Sequence, residues 1–349
     1  MLCDCGQTST LTANEYFEEA DSCRMRCQHC DGSIHFGPAV AAVRDEHDPA
    51  LRDDCVPGLA WYHTSTDPAW PSEDYAARFE AELKWVDRDF GPSRESHIAR
   101  ETSKALHVGT YEAAIENMLR RMNDQGDGDS QFYLYRVGLR IAPGRINQGY
   151  RDENHAVAAK ISLGELDAAG LDAVRYLNVH EAIGTLSLAV RPDAIWAVQR
   201  LPIPVSSLSI ETTCAAVDEA RNELVAAVRA LRQAEEAASL APGDRRMMQL
   251  GARPDPGGVA RRIGDLELQY YRCWNELEEH LSECVLPGAS PVVRRDFNDA
   301  AASMRGAGGE TEVDQFVDRY RQLAALLERR DAVLALISNQ EWRRVARES

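Results

Sequence analysis

No stretch of this chain approaches the roughly 20 uninterrupted apolar residues that a membrane-spanning helix needs. The N-terminal MLCDCGQTST has neither the basic start nor the apolar core of a secretory signal. Both features point to a soluble, cytoplasmic protein with no membrane partner. Positive charge is also scarce. The formal net charge of -17 opposes capture of a phosphate backbone, because that affinity rests on counterion release by Lys and Arg. Neither a G-x-G-x-x-G run nor a P-loop occurs, which disfavours hydride transfer on a Rossmann domain and ATP hydrolysis. Apolar residues, by contrast, are plentiful: 349 residues at 44% hydrophobic content can build two or three separate cores.

Cysteine is unevenly placed. Five of the nine fall within the first 30 residues, and in a reducing compartment such clusters mean metal more often than disulfides. Cys3 and Cys5 form a C-x-C pair, Cys27 and Cys30 a C-x-x-C pair. Each short pair can set two thiolates on one side of a tight turn, and two turns together supply the four tetrahedral sulfurs that Zn²⁺ prefers. Gly6 and Gly32 let the backbone fold back after each pair. Four thiolates close the coordination sphere, so the expected role is a structural zinc that folds a segment too small for its own core. Cys23 is a surplus ligand, with His29 and His35 as substitutes, and Ser33 to Phe36 reads as a short strand. Residues 1–55 carry four Arg, no Lys and eleven acidic residues, which argues against nucleic-acid binding by this ribbon. Cys214, Cys273 and Cys284 have no ligand spacing and read as isolated buried thiols.

The middle of the chain alternates as strands do. Leu59 to Thr66 reads as a strand ending in small polar residues, Lys104 to Thr110 as a second, and Gln131 to Leu139 as a third. Tyr176 to Val179 and Thr185 to Val190 read as two more around a turn at Ala182 to Gly184. Tyr111 to Met122 has amphipathic helical spacing with Thr110 available as its cap, and Tyr75 to Trp85 has helical character. Little helix separates the later strands, so the order predicts an α+β fold rather than a doubly wound sheet.

These strings resemble the ADP-ribosyltransferase superfamily of diphtheria-toxin-like and poly(ADP-ribose)-polymerase-like enzymes. Trp61-Tyr62-His63-Thr64-Ser65 looks like the strand that opens the family's NAD site, and Leu106-His107-Val108-Gly109-Thr110-Tyr111-Glu112-Ala113-Ala114 is similar to its strand running into a helix. Tyr176-Leu177-Asn178-Val179-His180-Glu181 is similar to the Asn-Glu-Tyr strand of the polymerase-like members. The resemblance covers roughly residues 59 to 200 and implies split antiparallel sheets and a His-Tyr-Glu site. It implies that His63 hydrogen-bonds the adenine-side ribose of NAD, and that Tyr111, or alternatively His107, packs on nicotinamide. Thr64, Ser65 and Ser187 line the same NAD site in this reading. Glu181 is the implied catalytic carboxylate, because an oxocarbenium-like transition state needs a nearby negative charge. The sequence departs from the family in three places. Ile115 and Glu116 stand where a second aromatic is common, strict spacing puts the acid position near Leu186, and Val179 stands where the arginine-specific branch has the first Glu of Glu-x-Glu. Arg136, Arg145, Arg151 and His155 are further candidates for pyrophosphate contact.

From Ser206 onward the composition turns to Ala, Leu, Glu and Arg. Leu208 to Leu240, Val259 to Val285 and Val313 to Val345 repeat apolar residues at helical intervals, with a shorter helix around Val293 to Met304. Breaks at Ala241-Pro242-Gly243 and Arg253 to Gly258 are strong helix stops, so an antiparallel bundle, a surface for a protein partner, is expected. The expected organisation is a zinc-ribbon module and linker over 1–55, a mixed α/β ADP-ribosyltransferase-like domain over 56–205 and a helical bundle over 206–349. The resulting functional expectation is an NAD-dependent transferase that moves ADP-ribose to a macromolecular acceptor, protein or nucleic acid. A non-enzymatic zinc-ribbon adaptor and an NAD-consuming hydrolase or phosphorylase on a related fold are the competing expectations.

Overall fold

In a computed structural model of the chain, the described residues are 3–9, 24–35, 42–72, 94–152, 158–211, 213–238, 241–306 and 309–345. Cys23, Phe36, the Tyr75 to Trp85 helix and His155 lie outside them, as does the side chain of His35. The chain is α+β and divides into two compact units. One comprises residues 1–118, 131–202 and 335–349, the other 119–130 and 203–334. The chain's last fifteen residues thus join the sheet-containing unit, not the bundle. Among the described residues no helix is long and apolar enough to cross a membrane.

The sheet-containing unit starts with an antiparallel pair, β1 (Arg24–Arg26) and β2 (Ser33–His35). Two larger sheets follow. The first has the order β3 (Trp61–Ser65), β5 (Phe132–Leu139), β8 (Ile195–Ile203), β9 (Arg343–Arg344), and the second the order β4 (Leu106–Val108), β7 (Leu186–Val190), β6 (Ala173–Leu177). β3 pairs with β5, and β7 with both β4 and β6, all antiparallel. The two sheets meet at β3 and β4, where Tyr62 and Gly109 form one antiparallel bridge with reciprocal backbone bonds of 2.8 and 2.9 Å. Gly109 is required by its other neighbours, since a Cβ there would lie 2.4 Å from the Ser187 hydroxyl and 3.2 Å from the Ala113 Cβ. Inward-facing residues of both sheets, among them Trp61, Tyr135, Val137, Leu177, Leu188 and Val198, form one core. A smaller core joins Val174, Tyr176 and Ala189 to Ile161 and Leu166, the latter on α3 (Leu163–Ala169), which Ser162 caps through the Glu165 amide.

Two further helices, α1 (Arg94–Thr102) and α2 (Tyr111–Asp124), lie between β3 and β5 in sequence. Thr110 caps α2, its hydroxyl accepting from the Ala113 amide at 3.2 Å, a contact worth about 1 kcal/mol. α1, α3 and β8 are additions to the elements read from sequence.

The second unit is helical: α4 (Ala215–Ala238), α5 (Pro242–Gln249), α6 (Val259–Val285), α7 (Pro291–Ala302), α8 (Glu310–Glu328) and the start of α9 (Arg330–Ser338), whose residues from Ala335 on belong to the sheet-containing unit. The Val259–Val285 helix has the bounds expected from its periodicity. Pro242 opens α5 instead of ending structure, since proline at the first helical position gives up an amide that would be unpaired anyway. The helix expected over Val313 to Val345 is two helices ending at Ser338, after which Arg343–Arg344 pairs with β8. Cys214 and Cys284, expected as isolated thiols, form a disulfide between the start of α4 and the end of α6, which makes these helices antiparallel. Their seventy-residue separation hides the pair from any reading of local spacing.

Candidate functional site

Two arrangements carry chemistry in the sheet-containing unit. The first is the N-terminal cysteine cluster. Cys3 and Cys30 bring their sulfurs to 3.6 Å and Cys5 and Cys27 to 3.8 Å, all four lying within 4.8 Å of one another. Four sulfurs at about 2.3 Å from a central zinc would sit about 3.8 Å apart along tetrahedral edges, so the cluster can hold such an ion. The turns do the positioning: the Gly6 amide bonds the Cys3 carbonyl, and the Cys27 amide bonds that of Gly32. The His29 amide, then the Ser9 hydroxyl, hold the Cys27 thiol down at about 6, while Cys3 and Cys30 are raised, so Cys27 is the member that gives up its proton first to a metal. His29 directs its ring to the Thr8 carbonyl at 3.1 Å rather than to the cluster.

The second arrangement is the junction of the two sheets. Side chains alternate across β3. Tyr62 meets the ring of Tyr111 edge-on at 5.8 Å and Thr64 donates to the Ala114 carbonyl at 2.9 Å, so both face α2. His63 therefore points to the other face, where it stacks on Trp70 with ring centres 4.1 Å apart. Its Nδ1 lies 2.8 Å from the His107 carbonyl; as donor it leaves Nε2 as the basic nitrogen. The Ser65 hydroxyl accepts from the Asp67 amide at 3.0 Å.

On the face of the second sheet that packs against Ile161 and α3, the strands present His107, Ser187 and Tyr176. His107 Nδ1 is 3.0 Å from the Tyr176 hydroxyl, while its Nε2 is shut from solvent without a hydrogen-bond partner among the described residues. Burial lowers the His107 pKa to about 4; Glu181 pulls it up and Lys104 pushes it further down. Glu181 lies in the β6–β7 hairpin, where Asn117 of α2 donates to its carboxylate at 3.0 Å. Glu116 anchors the same hairpin by accepting from the Ala182 amide, and Asn178 donates to Thr185 and Ser187 at 2.8 and 2.9 Å. Gly184, at φ 85°, makes the tight return.

His107 and Tyr176 thus form one polar system on this face, with Asn178 and Ser187 a separate pair, while Glu181, held by Asn117 of α2, acts on His107 through its charge. His63 touches that system through the His107 carbonyl, from the opposite face. Tyr111 is not brought to the His63 face: its ring is 3% exposed and packs in the core. Arg136 donates to Gln199 and lies over Trp342, Arg145 pairs with Asp172, and Arg151 pairs with Glu165. Trp70, Asn117 and Tyr176 were not singled out as site residues from sequence. Two strand-like runs around the turn at Ala182 to Gly184 were the visible signal for this hairpin, whereas Asn117 becomes visible only when the helix face is known. No protein-family model, curated protein or solved structure matches this chain.

Proposed function

We propose that the sheet-containing unit is an NAD-dependent ADP-ribosyltransferase. The observation that carries this reading is the parting of two antiparallel sheets between β3 and β4, spanned by one bridge pair, with His63 bonded across the parting and the Glu181 hairpin beside it. In this reading NAD lies along the parting. His63 orients the ribose, and Asn117 holds the Glu181 carboxylate for the positive charge that develops as the bond between ribose C1′ and nicotinamide nitrogen breaks. Nicotinamide leaves with the bonding pair. A nucleophile of a protein or nucleic-acid acceptor then attacks C1′ and gives its proton to solvent or to Glu181. The reading keeps Ser65 and Ser187 as lining groups and gives up Tyr111 as the stacking ring and Thr64 as a lining group, both being buried on the α2 side of β3. The four N-terminal cysteines hold a structural zinc, and the helical unit offers a surface for a protein partner. A non-enzymatic adaptor is the second reading, favoured by the burial of Tyr111 on the face opposite to His63.

Incubation with NAD labelled in its adenine moiety tests the choice. Transfer predicts released nicotinamide and label on a macromolecule, with Glu181→Gln lowering turnover by about 100-fold or more and leaving thermal unfolding unchanged. The adaptor reading predicts no nicotinamide release at all, and label in free ADP-ribose would assign a hydrolase. For the zinc, chelation should release metal and unfold the β1–β2 segment alone; a purified chain without zinc would remove that part of the reading.

A further inference from the structure

The helical unit contains a second group of ligand atoms, separate from the four N-terminal cysteines. Cys273 and Glu276 stand one turn apart on α6, and Glu223 faces them from α4. The Cys273 sulfur and one carboxylate oxygen from each Glu lie within 4.8 Å of one another. The disulfide fixes this register independently. With Cys214 bonded to Cys284 and the helices antiparallel, a residue some distance along α4 faces one equally far back along α6, since both rise about 1.5 Å per residue.

The state of Cys273 is the second observation. Its side chain is 3% exposed, it forms no disulfide, and it has no hydrogen-bond partner among the described residues. A buried thiol surrounded by aliphatic groups behaves as a small hydrophobe. This one is turned toward two carboxylates, whose negative charges at such separations repel each other until a cation stands between them. Arg272 reaches Glu276 at 3.7 Å, but as a solvent-exposed pair along the helix surface, a contact worth little.

We propose that Glu223, Cys273 and Glu276 form a second metal site, for a borderline divalent cation of the zinc class, joining α4 to α6. The donor set selects the class. A thiolate is a poor ligand for Mg²⁺ or Ca²⁺, which take oxygen, and two carboxylates are poor ligands for Cu(I), which takes sulfur. On binding, the thiol proton leaves to solvent and the thiolate ligates. Three protein donors leave the fourth tetrahedral position to water.

The test uses the full chain with Cys3, Cys5, Cys27 and Cys30 all replaced by Ser, titrated with Co²⁺ as a coloured substitute for zinc. The expected result is a thiolate-to-cobalt charge-transfer band that saturates at one equivalent and is displaced by zinc. Cys273→Ser should abolish the band, and Glu223→Gln or Glu276→Gln should weaken binding by more than about tenfold. No band in a chain of unchanged helical content, or a band that survives Cys273→Ser, overturns the proposal. Zinc content of the otherwise unaltered chain decides independently of that variant's folding. Two equivalents falling to one with Cys273→Ser supports the site; the same content with and without Cys273 overturns it.

Discussion

The two compact units are tied together internally by different kinds of bond. In the sheet-containing unit, beside side-chain pairs such as Asn117 with Glu181, several long-range ties run from a buried side chain to backbone carbonyls. Arg175, 1% exposed, donates to Ala50, Asn147 and Gly149 carbonyls and to the Asp53 carboxylate; Thr64 donates to Ala114, and Gln199 to Ser338 and Gln340. In the helical unit the shorter ties run from side chain to side chain, Cys214 to Cys284, Arg305 to both oxygens of Glu278, and Tyr320 to Asn298, while Tyr270 and Arg319 reach backbone carbonyls only at 3.4 Å. The difference follows from the elements. A long helix satisfies its backbone internally except at its ends, so only side chains remain to hold one helix to another. Sheet edges and connecting loops leave carbonyls unpaired, and an arginine can collect several of them.

The largest expected effect is therefore on the collecting residue. Arg175→Met keeps much of the buried volume but strands three carbonyls and the Asp53 carboxylate at once. Hydrogen bonds to a charged group are worth about 1.5–3 kcal/mol each; Ala50 is buried, whereas Asn147, Gly149 and Asp53 are open enough to water to recover part of their share, so a loss of about 5 kcal/mol in urea-induced unfolding is expected. A loss below about 1 kcal/mol would mean that the 147–149 and 50–53 segments are held by other contacts. In the helical unit the equivalent change is Cys284→Ser. Opening a loop of 70 residues restores chain entropy to the unfolded state worth about 4 kcal/mol in the loop-closure picture. Thermal unfolding with and without reductant should show that loss in the parent chain and none in the variant.

Legibility in the sequence divides along the same line. Cys3, Cys5, Cys27 and Cys30 were visible because each pair is joined by a tight turn, whose geometry is local. Trp61–Ser65 and Phe132–Leu139 were visible through alternation. β8 was not: Trp196, Gln199, Arg200 and Pro202 interrupt its pattern, and its place in the sheet comes from pairing rather than propensity. Arg343–Arg344 is a strand for the same reason, in a stretch whose composition continued a helix. Single-residue phase decided the candidate site. Tyr62, not His63, faces Tyr111, and a shift of one position moves a side chain to the other face, a distinction that family-like strings cannot carry. Glu181 was singled out through the family-like string Tyr176 to Glu181, while its partner Asn117 depended on which face α2 buries.

The smallest predicted effect separates the units by sign. Burial holds the His107 pKa down at about 4 in the folded chain, against about 6.5 unfolded. As pH falls through that window the unfolded chain takes up a proton that the folded one refuses, so His107 removes stability, up to about 3 kcal/mol once the pH is below both values. Glu278 behaves oppositely. Burial raises its pKa even though Arg305 acts to lower it, so the folded helical unit gains a proton before the unfolded chain does, and Glu278 adds stability as pH falls toward the ordinary carboxylate range. Hydrogen exchange read separately over β4–β7 and over α6, between about pH 7 and 5, should therefore show the sheet amides losing protection to a degree that His107→Asn removes. In α6 the corresponding term should have the opposite slope and vanish in Glu278→Gln. A shared slope that neither substitution alters would show that the carboxylates common to both units, rather than these two buried groups, set the response to acid.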